Sequence, residues 1–600
     1  RDRKPRSDTT DTTSDHVHSP HQLTGAMSKT LAFSWPATVV GSPLRILLPH
    51  EREAMLYDVL TAFPDLQNSY GTHKKAEQAL RDHEAKHAEH MALWQAVRQW
   101  LTRHHAGLIG DLPGLLLDRL SGGDLLVPSY RHVIVDEFQD LTPGEQELVL
   151  MLRRHGGQLV VLGDPRQSIY RFRGNDQEGL AKLKHLLGPT VGSVTDIEMT
   201  ECQRCPADIV HAANQLMGLY SAKAMVPCSS IPANTHVVVW DSPQGEARGM
   251  ANAVVASFRA HSTDRHLVMV TRRQFGYWLR DQVAAIAPDL KVELSFSESL
   301  LETWAAREAF LLFCLLVDPD LPTWRAWLGY QNSSAGKNYK PPRRNSDAYL
   351  KLLTACGDNI TAETITQVAS APIKPPGEGG KNVWERAKRF VELSAAIVWD
   401  SDDGHTLIGQ LFDPQQWITP DTEDAETTTL DMQLCSSKAG AMLEELKSLK
   451  PQAGPQYWLR EVARRLRYQI ATREPFVPDE TADIRVATLW GAKGVTADHV
   501  YVLGLCDEAI PGARRDEYPG TDLEYEEEQR RLFYVSITRS KRTLVLSRGR
   551  GTRRGDAAHL GLTIAPGQSH QVNLAMSRFL RDINKFLPKA QRGADWPGCT

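Results

Sequence analysis

Two short apolar runs, Val133-Ile134-Val135 and Leu159-Val160-Val161-Leu162, interrupt a mixed stretch of the chain, and each is followed within two positions by an acidic residue. Continuous β-branched runs of this length predict strands buried on both faces of a parallel sheet. The amphipathic segment 144–154 between them has the length of a crossover helix, so the region predicts a right-handed βαβ unit. Ligands sit at the carboxyl ends of such strands, where Asp136, Glu137 and Asp164 fall. Further along, Val237-Val238-Val239-Trp240, Leu267-Val268-Met269-Val270, residues 484–489, 499–505 and 543–546 predict strands of a second α/β unit. Helical patterns lie between: an amphipathic helix after residue 45, one long charged helix over 73–101, and an apolar helix over 305–317 punctuated by Asp318-Pro319-Asp320. From about 321 to 480, helical segments are broken by Lys340-Pro341-Pro342-Arg343-Arg344, by Lys374-Pro375-Pro376-Gly377-Glu378-Gly379-Gly380 and by an acidic run at 421–426. The first twenty-odd residues lack hydrophobic periodicity and read as a disordered tail.

The chemistry concentrates at the first pair of strands. Adjacent carboxylates leaving a buried strand suit metal-assisted phosphoryl transfer, with Asp136 holding Mg²⁺ through water and Glu137 taking a proton from an attacking water. In Gln167-Ser168-Ile169-Tyr170-Arg171-Phe172-Arg173-Gly174, an amide is followed by alternating aromatic and cationic residues, a mix suited to stacking on bases and contacting phosphates.

Asp136-Glu137-Phe138-Gln139-Asp140 and Gly163-Asp164-Pro165-Arg166-Gln167-Ser168-Ile169-Tyr170-Arg171-Phe172-Arg173-Gly174 closely resemble the second and third motifs of UvrD/Rep-like superfamily 1 DNA helicases. Three later segments extend the resemblance. Gln203-Arg204-Cys205 followed by Ala212-Ala213-Asn214 is similar to the fourth motif, with Gln203 where a base-stacking tyrosine is usual. Thr488-Leu489-Trp490-Gly491-Ala492-Lys493-Gly494 is similar to the fifth, with Trp490 in place of histidine and Thr496 in place of glutamate. Residues 527–540 resemble the sixth almost without change, and their spacing puts Glu528, Arg531 and Val535 on one side of a helix.

The resemblance implies an α/β fold of two RecA-like, P-loop NTPase-type parallel-sheet domains with inserted helical subdomains. It also implies ATP hydrolysis in the cleft between them and 3′→5′ movement on single-stranded DNA. Carried over residue by residue, it makes Glu137 the general base, Asp136 the Mg²⁺ ligand and Gln167 a γ-phosphate sensor. Arg204 and Arg539 face the transferring phosphoryl group, and Gly494 lies beside the nucleotide. Tyr170, Phe172, Arg173, Thr488, Trp490 and Lys493 face DNA. The expected division is a tail at 1–25, a first motor domain at 26–205 with a helical insertion at about 64–125, and a second motor domain split as 206–320 and 481–555. A helical accessory domain at 321–480 and a C-terminal tail at 556–600 complete it. Single-stranded DNA and duplex junctions are the implied partners, together with a nuclease or repair protein.

No G-x-x-x-x-G-K-[ST] phosphate loop occurs in the sequence. Gly25-Ala26-Met27-Ser28-Lys29-Thr30 lacks the glycine before the lysine, and Ser28–Trp35 looks more like a later, DNA-side segment of the family. On that alignment the phosphate loop lies upstream of Arg1, and the chain is expected to be a fragment. The alternative is a non-hydrolysing DNA-binding scaffold subunit of a helicase–nuclease or repair complex.

Composition adds limits. With 41% hydrophobic and 24% charged residues among 600, the chain has an ordinary globular make-up and room for several domains. Its net charge of −4 means that DNA contact must come from local basic and aromatic surfaces. No apolar run reaches the length of a membrane span. Eight cysteines in this length make no disulfide framework, and Cys202 and Cys205 form a C-x-x-C without a second pair at zinc spacing. Reduced thiols in a cytoplasmic setting are expected. His73, His83, His87 and His90 read as a solvated helix face rather than a metal site, and the C-terminal forty residues hold no nuclease signature.

Overall fold

The structure, a computed structural model, describes residues 45–84, 89–111, 114, 117, 120–122, 130–171, 175–187, 194–219, 224–229, 233–296, 300–329, 345–398, 404–418, 425–472, 482–514, 518, 520–564 and 570–596. Its largest sheet has seven strands, in the spatial order Gln591–Arg592, Asn234–Trp240, Ser540–Gly549, Ala497–Leu503, His266–Val270, Ile484–Thr488 and Val292–Leu294. Every pairing in it is parallel. The interior strand His266–Val270 is buried at all five positions, as an apolar strand covered on both faces must be. Its side chains alternate between two cores. Leu267 and Met269 join Ile209, Leu216, Leu532 and Phe533 beneath the helices Ala207–Met217 and Asp522–Ile537. Val268 and Val270 join Met250, Val254, Leu279 and Val283 beneath Pro243–Ala260 and Arg273–Ile286.

The chain leaves this sheet after Val292–Leu294 and returns at the neighbouring strand Ile484–Thr488. The excursion is helical. Trp304–Val317, Leu321–Gly329, Ser346–Ala355, Gly380–Ala396, Ala425–Leu449 and Pro455–Thr472 share one core that includes the fully buried Trp324, Trp327 and Trp417. The helix Pro49–Ala62 docks on this body through two buried ion pairs, Asp58–Arg325 at 2.8 Å and Glu51–Arg467 at 2.6 Å. The single helix expected over 73–101 is two helices, His73–Glu84 and Met91–Arg103. His90 sits at the start of the second, its backbone N–H donating to His83 Nδ1. The break lets Leu80 and Leu93 enter the same small core. Among the described residues no cluster of three or more His, Cys, Asp or Glu side chains could hold a metal ion.

The strands Tyr130–Val135 and Arg153–Val161 pair in parallel, with the helix Pro143–Met151 between them in sequence. Burial on both faces was expected of them, and only one face is covered. Val135, Val149 and Phe138 form a core with Val133, Leu159 and Val161, whereas Ile134 is 72% and Val160 50% exposed. Among the described residues this sheet has two strands and helices on one side only, so alternate positions face outward. Residues 571–596, expected as a tail, contribute the edge strand Gln591–Arg592 and the buried Phe579 and Trp596.

Candidate nucleotide cleft and adjoining surface

The cleft is built first by the ends of the two-stranded sheet. Hydrogen bonds from Leu162 N to the Val135 carbonyl (2.7 Å) and from Phe138 N to the Leu162 carbonyl (3.1 Å) carry the pairing one step past the strands. Glu137 then takes a left-handed backbone, φ 55° and ψ 38°, which turns the chain sharply beyond the buried Val135. The Asp136 carboxylate accepts from Glu137 N at 2.9 Å and is otherwise exposed. Gln139, wholly buried, bridges the two strand ends: its amide nitrogen donates to Glu137 Oε2 at 2.5 Å, and its oxygen accepts from Asp164 N at 3.0 Å. Gly163 is required beside it, because a Cβ there would lie 2.6 Å from Gln139 Oε1 and 2.8 Å from Leu180 Cδ1. Asp164 caps the next turn, accepting from Arg166 N (3.0 Å), Arg166 Nε (2.8 Å) and Gln167 Nε2 (3.1 Å).

The opposing wall comes from the seven-stranded sheet. After Ile484–Thr488 the chain turns, with Gly491 N donating to Thr488 Oγ1 and Gly494 at φ 78°. The turn drives Lys493 Nζ into the cleft, 2.7 Å from Asp140, 2.6 Å from the Gln167 carbonyl and 3.6 Å from Glu137. The helix Asp522–Ile537 aligns a second set: Arg531 Nε donates to the Ser168 carbonyl at 2.8 Å, and Glu524 pairs with Arg171 at 2.6 Å. Just past its end, Arg539 Nη2 donates to Gln167 Oε1 at 3.4 Å. Arg204, on the strand Glu201–Pro206, donates to the Thr538 carbonyl at 3.3 Å. Burial, and then the neighbouring Arg204 guanidinium, pull Arg539 down to about 10. Two cations held together against burial favour an anion between them. This donor set fits a nucleotide phosphate.

The structure therefore gathers Glu137, Gln167, Lys493, Arg539 and Arg204 around one cleft, with Asp136 at its edge and Gly494 in the adjoining turn. Lys493, expected on the DNA side, is instead the internal counter-charge of Asp140 and Glu137, with its side chain 6% exposed. Thr488 serves as the hydroxyl that closes its own turn. Tyr170 is half-buried; its hydroxyl donates to the Trp490 carbonyl at 3.4 Å, and Lys493 Nζ lies 5.4 Å over its ring. Trp490 packs partly buried on the same core, its indole N–H without a hydrogen-bond partner. Phe172 and Arg173, like the segments 25–30 and 28–35, lie outside the described residues. Sequence reasoning passed over the buried Gln139, Asp140 and Ser168, although the first two stand inside the acidic motif. Their signal was position: polar side chains directly after an apolar strand.

A fully parallel sheet facing a βαβ unit across an acid- and arginine-lined cleft defines an α/β protein of the two-domain helicase fold. Residues 25–187 match the UvrD/REP helicase N-terminal domain and residues 441–550 the UvrD-like helicase C-terminal domain. The chain is 22% identical over 436 residues to a probable DNA helicase II homolog of Mycoplasma pneumoniae, covering 70% of this chain and 54% of that protein. It is 22% identical to the ATP-dependent DNA helicase Rep of Escherichia coli, covering 70% and 60%, and 23% identical to DNA helicase II of Haemophilus influenzae, covering 81% and 66%. The two matched domains and these relatives support a UvrD/Rep-like helicase. Matches span 54% to 62% of the length of the first three relatives.

Proposed function

We propose that this chain forms the motor of an ATP-dependent 3′→5′ DNA translocase or helicase acting on single-stranded DNA and duplex junctions in repair or recombination. One observation carries the reading. Lys493 Nζ lies 3.6 Å from Glu137 and 2.6 Å from the Gln167 carbonyl, Gln167 Oε1 accepts from Arg539, and Arg539 and Arg204 both donate to Thr538, so residues from separate strand and helix ends form one chain of contacts.

In this reading Glu137 takes the proton of the attacking water, and Asp136 holds Mg²⁺, which supplies charge neutralisation for the phosphates when bound. Arg204 and Arg539 balance charge on the transferring phosphoryl group. Gln167 touches both Arg539 and, through its carbonyl, Lys493, so it couples the phosphate side to the Thr488–Gly494 turn. Tyr170, Thr488 and Trp490 contact DNA, a role the resemblance extends to Phe172 and Arg173. The two motor domains are 26–205 and 206–320 with 481–555, and 321–480 is the accessory helical domain. Seven described cysteines are free thiols, which suits a cytoplasmic setting. No helix among the described residues is long and apolar enough to cross a membrane.

The test is ATP hydrolysis, in a form that carries a phosphate loop, with and without single-stranded DNA, beside its Glu137→Gln variant, together with displacement from duplexes bearing 3′ or 5′ tails. DNA-stimulated turnover that falls by about 10²–10⁴-fold in the variant while DNA binding persists is the expected result. Equal loss of binding and turnover would remove the role given to Glu137. Salt-sensitive DNA binding without turnover would favour the scaffold reading.

A further inference from the structure

Lys493 was expected to face DNA, and its surroundings give it different work. The turn that carries it is rooted in the core of the seven-stranded unit. Leu489 and Ala492 are 1% and 0% exposed, Ala492 N donates to the Thr488 carbonyl at 3.0 Å, and Lys493 N donates to the Trp490 carbonyl at 3.3 Å. From that root the side chain crosses to the βαβ unit. Its Nζ donates to Asp140 Oδ1 at 2.8 Å and to the Gln167 carbonyl at 2.6 Å, and lies 2.7 Å from Asp140 Oδ2. The Tyr170 ring closes a further side at 5.4 Å. An ammonium offers three protons, and partners on this many sides hold a flexible side chain in one place. Asp140 and Glu137 are joined by one short turn, in which Asp140 N donates to the Glu137 carbonyl at 2.9 Å. A grip on Asp140 therefore fixes how Lys493 meets Glu137, whose Oε2 lies 3.6 Å from Nζ. The same oxygen accepts from Gln139 Nε2 at 2.5 Å, and among the described residues no donor reaches Glu137 Oε1.

We infer that Lys493 is a positioning residue: by holding Glu137 Oε2 from across the cleft, it aims Oε1 at the attacking water only while the two units are docked. This positioning rests on the role proposed above for Glu137. Gln139 supplies the hold that the βαβ unit has by itself, and Lys493 supplies the one that docking adds. Coulomb attraction to one oxygen orients the carboxylate and leaves the other free to take a proton. Hydrolysis then waits on closure, because a base that swings with its turn spends little time in the reactive geometry.

The experiment compares Lys493→Met with the pair Asp140→Asn and Lys493→Met, in the form that carries a phosphate loop, each also in the Glu137→Gln background. The neutral pair is included because Lys493→Met alone strands a buried carboxylate. At saturating single-stranded DNA, kcat should fall about 10–100-fold in both, with the ATP KM held within about threefold. In the Glu137→Gln background the same changes should cost nothing more, read by single turnover, because Lys493 acts through the carboxylate that is gone. A second fall there would reveal a merely structural lysine and overturn the positioning, as would an undiminished kcat in the pair. DNA affinity at fixed salt should stay within about twofold, since the buried Nζ has no phosphate contact to lose. Binding weakened about tenfold with kcat intact would return Lys493 to the DNA side. That affinity measurement needs no turnover, so the chain as it stands also decides it. Turnover that survives Glu137→Gln would sink the base role proposed above and the positioning with it. Turnover lost in Glu137→Gln but kept in both Lys493 variants would sink the positioning alone.

Discussion

Glu137 holds a left-handed backbone that costs a non-glycine residue about 1–2 kcal/mol. The bonds from Gln139 and to Asp136 fix it there, so the strain aims a carboxylate into the cleft. Gly163 supports this from beneath. Gly163→Ala should destabilise the chain by about 1–3 kcal/mol and, by displacing Gln139, loosen Glu137; thermal unfolding and single-turnover hydrolysis would both register it, and an unchanged pair would refute the bridge. A second buried carboxylate behaves differently. Burial raises Glu246 from 4.5 to about 7, although Gly504 N and Ser547 Oγ donate to its Oε1. Because its folded value lies above the unfolded one, folding binds a proton there, and stability falls as pH rises from about 4.5 to about 7. Glu246→Gln should flatten that part of a stability–pH profile measured by urea unfolding. These residue-scale facts were half legible. DEFQD announced chemistry, but nothing in it told Gln139 from Glu137, because burial decides which of them is a strut.

Among the elements, the helix Asp522–Ile537 shows why interleaved charge misleads. Glu and Arg at this spacing read as a solvated surface, yet Glu528 and Arg531 are buried. They are satisfied by Tyr518 and by the Ser168 carbonyl of the opposing unit. The helix begins with a capping box in which Thr521 Oγ1 accepts from Glu524 N and Glu524 accepts from Thr521 N. The same Glu524 holds Arg171. Thr521→Ala should cost about 1 kcal/mol in denaturant unfolding and weaken the Arg171 pairing with it; a loss confined to Arg171→Ala would show that the cap is irrelevant. The strands His266–Val270 and Ala497–Leu503 were readable because a buried parallel strand must be apolar throughout. The pair Tyr130–Val135 and Arg153–Val161 was readable as strands but not as half-exposed ones, since the run of residues does not reveal what covers it.

At the scale of the molecule, residues far apart in sequence build one helical body: Asp58 receives Arg325 from two nitrogens and Trp100 Nε1 at 3.0 Å, all buried. Asp58→Ala strands a guanidinium, so the helical body should lose about 3–5 kcal/mol, read by tryptophan fluorescence during urea unfolding. Asp58→Leu with Arg325→Met should recover most of it; no recovery would mean that the pair does more than balance its own charge. The sequence by itself determined five of the seven strands of the large sheet and the order of the motifs. It also marked Glu137, Gln167, Arg204 and Arg539, which the structure brings to one cleft, because the order and type of residues in the motifs can be read along the chain. The tertiary structure alone decided that Lys493 neutralises Asp140 rather than facing outward, that one charged helix is two, and that the C-terminal residues complete a sheet edge. Each depends on which distant groups share a low-dielectric space, and neither spacing nor composition encodes that distance.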